Sequence, residues 1–215
     1  MQTPIAVLAG TPVDTQMGMD VLHSAGLHGL AFPLANDPWE QTAFQISSAG
    51  EKRSKVCSVL RDAQAQGCRK VLVYSKSLSA SVDFPPLAAE TGLHIVTPLD
   101  VYRQLAVQYQ RLALIAANAQ GLAGIERTLL SANPGLEVRS AGLLPVVLSI
   151  EAGMPPEELV TFHQLDTLAS WFAACGAEAL LLGCTHFPYF KAALSQRTTL
   201  PLIDPTEEML QLLKL

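Results

Sequence analysis

The chain has 215 residues, 49% of them hydrophobic and 15% charged, with a formal net charge of -5. That length and apolar content suit one large domain or two small lobes built on strands buried on both faces. The acidic balance leaves no basic footprint and argues against nucleic acid as a partner.

Four cysteines, Cys57, Cys68, Cys175 and Cys184, form no C-x-x-C pair and show no metal-ligand spacing. Thiols in a reducing cytoplasm are expected rather than disulfides or a metal site. The N-terminus lacks a basic region followed by a long apolar core, and no apolar run approaches the ~18 residues of a membrane helix. Neither a signal peptide nor a membrane partner is expected.

Pro4 to Ala9 reads as a short buried strand. A polar loop punctuated by Gly and Pro runs from Gly10 to Gly18, and a helix is predicted from about Met17 to Ala25. A strand that feeds a small-residue loop is suited to cradling a phosphate or carboxylate, which makes Gly10 and Thr11 candidate substrate contacts. Capping by Thr11 and Asp14 is the plainer alternative. The loop is not G-x-G-x-x-G, so no dinucleotide site is read.

His28 to Leu34 is the second predicted strand. Asn36-Asp37-Pro38 forms a turn with a helix start after it. Glu51 to Gln66 is helical, with Val56, Val59 and Leu60 at helical spacing. Val71 to Tyr74 is the next strand, and Ser75-Lys76-Ser77-Leu78-Ser79-Ala80 follows it. Lys76 can assist Ser75 only if the chain turns there, since neighbouring side chains of a continuing strand point to opposite faces.

Leu93 to Thr97 is a strand, and Pro98 opens a helix. Arg111 to Ala116 is another strand. Asn118-Ala119-Gln120-Gly121 is then a polar loop before a helix through Leu130, with Asn118 and Gln120 candidate ligand contacts and plain loop and cap residues the alternative. Pro155 to Cys175 reads as one amphipathic helix that places Trp171 and Phe172 in the core and carries His163 and Cys175 as structural residues. Pro201 to Pro205 is the last strand, and Thr206 caps the final helix.

The most informative stretch is Leu180-Leu181-Leu182-Gly183-Cys184-Thr185-His186-Phe187-Pro188. Its apolar run fits a buried parallel strand. Gly183 permits a sharp turn, and Pro188 suits the first turn of a helix. Cys184 is thus expected where ligands bind in open α/β sheets, at the carboxyl end of a strand. Backbone N–H groups at the start of the helix would favour a thiolate there. A lone Cys after such a strand is otherwise a small buried hydrophobe, but Thr185 and His186 add polar groups that a core does not want.

Gly183-Cys184-Thr185-His186-Phe187-Pro188 resembles the second catalytic cysteine motif of the aspartate/glutamate racemase family, in its glutamate racemase form. Ser75-Lys76-Ser77-Leu78-Ser79-Ala80 aligns without a gap to the family's first motif, Cys-Asn-Thr-Ala-Ser-Ala. Ser79 and Ala80 match, Ser77 substitutes for Thr, and Ser75 stands where the first catalytic Cys belongs. Gly10-Thr11 stands where the family has Asp-Ser. Leu144 to Gly153 resembles the segment that supplies a carboxylate near the second cysteine. There Glu151 could orient His186, the plain alternative being an exposed Glu at a strand end. Asp204-Pro205-Thr206 matches an Ile-Asp-x-Thr pattern, and Leu215 comes sooner than a full glutamate racemase would lead one to expect.

The resemblance implies an α/β fold of two pseudo-symmetric three-layer αβα lobes with mainly parallel sheets. Residues 1–98 with 204–215 would form the lobe of Ser75, and 99–203 the lobe of Cys184, each lobe giving one residue to a shared cleft. It implies a cytoplasmic, cofactor-independent racemase or epimerase without metal, acting on aspartate, glutamate or a related small acidic substrate, and it leaves a homodimer open. Cys184, Ser75 and His186 would be catalytic. Gly10, Thr11, Lys76, Ser77, Asn118, Thr185 and Glu151 would bind or position substrate, Lys76 suggesting an extra anionic group. The alternatives are a single-thiol decarboxylase or isomerase of the same superfamily, and a ligand-binding homologue that has lost turnover.

Overall fold

Short apolar runs alternate with helices along the whole chain, the pattern of parallel α/β architecture. The computed structural model describes residues 3–214, less the side chains of Pro38 and Thr42. In order, the elements are β1 (Ile5–Ala9), α1 (Pro12–Ser24), β2 (Gly29–Pro33), α2 (Pro38–Ile46), α3 (Ala49–Ala65), β3 (Lys70–Val73), α4 (Lys76–Ser81), α5 (Phe84–Thr91), β4 (His94–Val96) and α6 (Pro98–Ala106). They continue with β5 (Arg111–Ala116), α7 (Ala119–Ala132), β6 (Glu137–Gly142), α8 (Leu144–Glu151), α9 (Pro156–Phe162), α10 (Leu165–Ala174), β7 (Ala179–Leu182), α11 (Pro188–Ser195), β8 (Leu202–Ile203) and α12 (Thr206–Lys214).

The chain divides into two units, Met1–Val101 with Thr206–Leu215, and Tyr102–Pro205. The first holds a parallel sheet of order β2-β1-β3-β4, the second a parallel sheet of order β6-β5-β7-β8. Numbered within its unit, each sheet reads 2-1-3-4. The registers correspond as well: Val7 of β1 faces Leu72 of β3, and Leu114 of β5 faces Leu181 of β7.

Both central strands of each sheet are covered on two faces, so past the opening Lys70 of β3 and Arg111 of β5 their residues are apolar. In the first unit Ala6, Leu8, Val71 and Val73 pack against Leu60 of α3 and Leu87 of α5. In the second, Ala113, Ile115, Leu180 and Leu182 pack against Leu159, Phe172 and Phe190. α12 rejoins the first unit, where the ammonium of Lys70 donates to the Leu213 carbonyl and the His94 ring bonds the Leu212 carbonyl at 2.9 Å. Basic groups at a helix C-terminus satisfy carbonyls that have no partner within the helix.

At the base of the second sheet, Glu178 accepts the N–H groups of Gln110 (2.7 Å) and Arg111 (2.9 Å). Those two bonds hold its carboxyl below the usual carboxylate range. The stability it contributes is therefore present above the ordinary glutamate pKa and is lost as pH falls through the lower, folded-state value. Glu178→Gln should flatten the acid limb of a plot of urea midpoint against pH below pH ~4.5. A mutant limb as steep as the wild-type one would refute this.

The sequence reading needs several corrections. α1 begins at Pro12, not near Met17, because Thr11 and Asp14 form a reciprocal capping box and Pro12 occupies the first helical position. α7 begins at Ala119 with Asn118 as its N-cap, so the expected loop is the first turn of the helix. Pro155 to Cys175 is two helices, broken at Gln164 with φ 51°. Buried Leu165 comes five positions after buried Val160, a spacing at which one helix does not return to the same face. His163 and Cys175 consequently cap different helices. Phe172 is fully buried, but Trp171 is 56% exposed, because Phe172 takes the inward position and its neighbour must point away. Glu151 ends a helix rather than a strand. β6 and α5 were not signalled: β6 is a polar edge strand with no apolar run.

Candidate active site

Where strand order reverses in a doubly wound sheet, a crevice opens at the carboxyl ends of two strands. In the first unit these strands are β1 and β3, which lead to Gly10-Thr11 and Ser75. In the second they are β5 and β7, which lead to Asn118 and Cys184.

Cys184 follows β7 by two residues, and its fractional exposure is 7%. The turn it starts ends at Phe187, the N-cap of α11, whose N–H donates to the Cys184 carbonyl at 3.2 Å. The thiol thus stands on the turn before the helix rather than on its first residue, with Pro188 in the first helical turn. Gly183 is not in the left-handed region. It serves instead by lacking a side chain, since its backbone lies against the Ile115 carbonyl and the side chains of Ile125 and Leu114.

His186 comes back toward Cys184 on this turn. Its Nδ1 is 3.8 Å from Cys184 Sγ. Its Nε2 is 3.3 Å from Glu151 Oε1, ion-pair distance but outside hydrogen-bond alignment. A carboxylate at the last residue of a helix opposes the helix dipole, so Glu151 gains nothing from its own helix, and His186 lies within ion-pair distance of it. The three groups form a thiol–imidazole–carboxylate series in which the acid can fix the ring and the ring can face a thiolate. The other cysteines lack this environment: Cys68 is fully buried, its thiol pushed up by burial, and Cys57 Sγ is 3.5 Å from Glu90 Oε1.

In the first unit the chain does turn at Ser75, which is the N-cap of α4. Ser75 is 4% exposed, and its Oγ accepts the Leu78 N–H at 3.3 Å. Ser77 Oγ lies 3.5 Å from Ser75 Oγ. Lys76 is buried, with Nζ 5.8 Å from the centre of the Tyr74 ring. Gly10 and Thr11 lie on the neighbouring strand end. Thr11 spends its hydroxyl on the α1 cap, bonding Asp14 at 3.1 Å, and Asn118 likewise accepts the Gly121 N–H at 2.9 Å. Thr185 is half-buried beside Cys184.

Two residues were missed by the sequence reading. Gln41 and Gln45 of α2 line a small pocket with Gly10, Leu34, Phe44 and Leu78. A Cβ on Gly10 would collide with the Gln41 carboxamide, so glycine there leaves room for that side-chain end. Gln45 Nε2 donates to Ser77 Oγ at 3.2 Å. Two glutamines four residues apart on a helix carry no signal that would have singled them out. Among the described residues no group of three or more His, Cys, Asp and Glu is placed to hold a metal ion, and no helix is long and apolar enough to cross a membrane.

Comparison with known proteins follows the same lines. The Asp/Glu/hydantoin racemase family model matches residues 45–213. Glutamate racemases of two Limosilactobacillus reuteri strains are 33% identical over 87 residues, 40% of this chain. The match spans about a third (32%) of the length of those curated relatives. Among solved structures, a Francisella tularensis glutamate racemase in complex with D-glutamate superposes with a TM-score of 0.70 at 19% identity, over 99% of this chain and 80% of that one. An aspartate racemase homologue from Pyrococcus horikoshii gives 0.73 at 16% identity, over 99% and 98%. An allantoin racemase from Klebsiella pneumoniae gives 0.66 at 16% identity, over 99% and 86%. These structures share the fold: two parallel four-stranded sheets flanked by helices.

Proposed function

The chain belongs to the Asp/Glu/hydantoin racemase family, and from that premise we propose that it is a cytoplasmic, cofactor-independent racemase or epimerase of aspartate, glutamate or a related small acid. The observation that carries the reading is the series from Cys184 Sγ through His186 Nδ1 at 3.8 Å to Glu151 at 3.3 Å from Nε2. Cys184 as thiolate removes the α-proton, which makes it the main acid/base of the reaction. His186 steadies the thiolate as an imidazolium, and Glu151 balances the ring. Ser75 returns a proton to the opposite face of the planar carbanion. Lys76, Ser77 and Thr185 contact the substrate's polar groups, Lys76 a carboxylate.

The test is α-proton exchange in D₂O with each enantiomer of aspartate and glutamate, following deuterium incorporation and optical rotation together. Exchange with inversion is the expected result. Exchange with retention would mean that Cys184 works alone, which fits a single-thiol enzyme. No exchange with any of the four substrates would remove the racemase reading for these amino acids.

A further inference from the structure

Ser75 is the weak member of the proposed pair, because an unassisted serine hydroxyl is a poor acid. We propose that Gln45 and Ser77 form a relay that orients Ser75 as a proton donor and reloads it from water. The inference rests on the racemase reading above and goes beyond it by assigning positioning residues on α2 and α4.

The geometry begins at Ser75. Its carbonyl accepts the Ser79 hydroxyl at 2.7 Å and the Ser79 N–H at 3.0 Å, which fixes the backbone. Its Oγ accepts the Leu78 N–H at 3.3 Å. Ser77 Oγ stands 3.5 Å away and on its other side accepts the Gln45 amide at 3.2 Å. The Gln45 backbone is anchored, its main-chain carbonyl accepting the Lys52 ammonium at 3.2 Å.

A hydroxyl that accepts an amide N–H still has its own hydrogen to give. For Ser77 that hydrogen can go to Ser75 Oγ. Ser75 then accepts from Leu78 and from Ser77, and its own hydrogen is directed outward. Accepted hydrogen bonds also favour the oxyanion that a departing proton leaves behind. A 3.5 Å separation is long for two hydroxyls at rest, but catalytic contacts are commonly loose in ligand-free sites and tighten as charge develops. Exposure completes the picture: Ser75 is buried, whereas Ser77 is only half-buried and reaches water.

The proton count closes. The Ser75 O–H bond breaks as the C–H bond forms at the α-carbon. Ser77 passes its proton to Ser75 Oγ, and a water replaces it, leaving hydroxide. The Cys184 thiol releases the proton it took from the substrate, which neutralises that hydroxide. The net change is inversion with one solvent proton incorporated.

Gln45→Leu, Ser77→Ala and Ser77→Thr should be compared with the wild type in D₂O, reading inversion per exchange event, with thermal unfolding to verify the fold. Gln45→Leu and Ser77→Ala should lower that ratio about tenfold, the scale of one lost hydrogen bond. Ser77→Thr, which keeps the hydroxyl, should stay within about twofold of the wild type. A wild type that inverts while Gln45→Leu and Ser77→Ala keep its ratio overturns the relay alone. So does a Ser77→Thr variant that falls as far as Ser77→Ala, since a hydroxyl would then be irrelevant. A wild type that never exchanges, or exchanges only with retention, overturns the two-face reading and the relay with it.

Discussion

Cys184→Ala is expected to lower α-proton exchange about 10³-fold, the middle of the range that a positioned acid or base supplies. Unfolding free energy should move by only about 1 kcal/mol. The two numbers separate the proposed role from the plain one. Cys184 is buried, and a cysteine that was merely a small core hydrophobe would show the stability cost without the kinetic one. Cys184 sits in a core cluster with apolar residues, Phe187 and Phe190 among them. The imidazole at 3.8 Å is what the proposed chemistry draws on. The check is deuterium incorporation by the variant, set beside its urea midpoint. Exchange within about tenfold of the wild type would end Cys184's claim to be the principal base.

Gly183→Ala is expected to destabilise the fold by about 1–3 kcal/mol and to impair activity beyond what that loss explains. An added Cβ would sit 2.8 Å from the Ile115 carbonyl oxygen, 2.8 Å from Ile125 Cδ1 and 2.9 Å from Leu114 Cδ1. Side chains can rotate away, but the carbonyl cannot: it is backbone of β5, and it accepts the Gly183 N–H at 2.7 Å. The collision and the hydrogen bond share one oxygen, so relief of the first strains the second. β7 would have to shift from β5 one residue before Cys184, and a displacement of the order of an ångström at a reacting group is costly to rate. The comparison to make is the denaturant midpoint against exchange per folded molecule. An alanine variant with an unchanged midpoint would show that the sheet yields more easily than this geometry allows.

Much of the molecule was legible because parallel sheets leave local marks. The apolar runs of β1, β3, β5 and β7 announce buried strands, and Pro188 announces the helix that follows Cys184. What was illegible has physical reasons as well. β6 is an edge strand, half solvated, so no hydrophobic period marks it. The break at Gln164 shows only in the phase of buried positions, which requires knowing what is buried. The approach of Glu151 to His186 joins residues far apart in sequence, and no spacing rule encodes it. The α2 carboxamides reach Gly10 and Ser77 through tertiary contacts between residues far apart in sequence. Resemblance to a family could point to Glu151 but not to Gln45, because only the former lies in a matched motif.

The return of α12 to the first unit bears on how the protein is made. Tyr102–Pro205 is one unbroken stretch, so its sheet can close as soon as that stretch has left the ribosome. The unit that contains Ser75 must wait for α12. Lys70 and His94 meet the carbonyls of Leu213 and Leu212 only after α12 has been made. Before that stage the turn that bears Cys184 belongs to a finished unit, while the turn that bears Ser75 belongs to one still lacking α12.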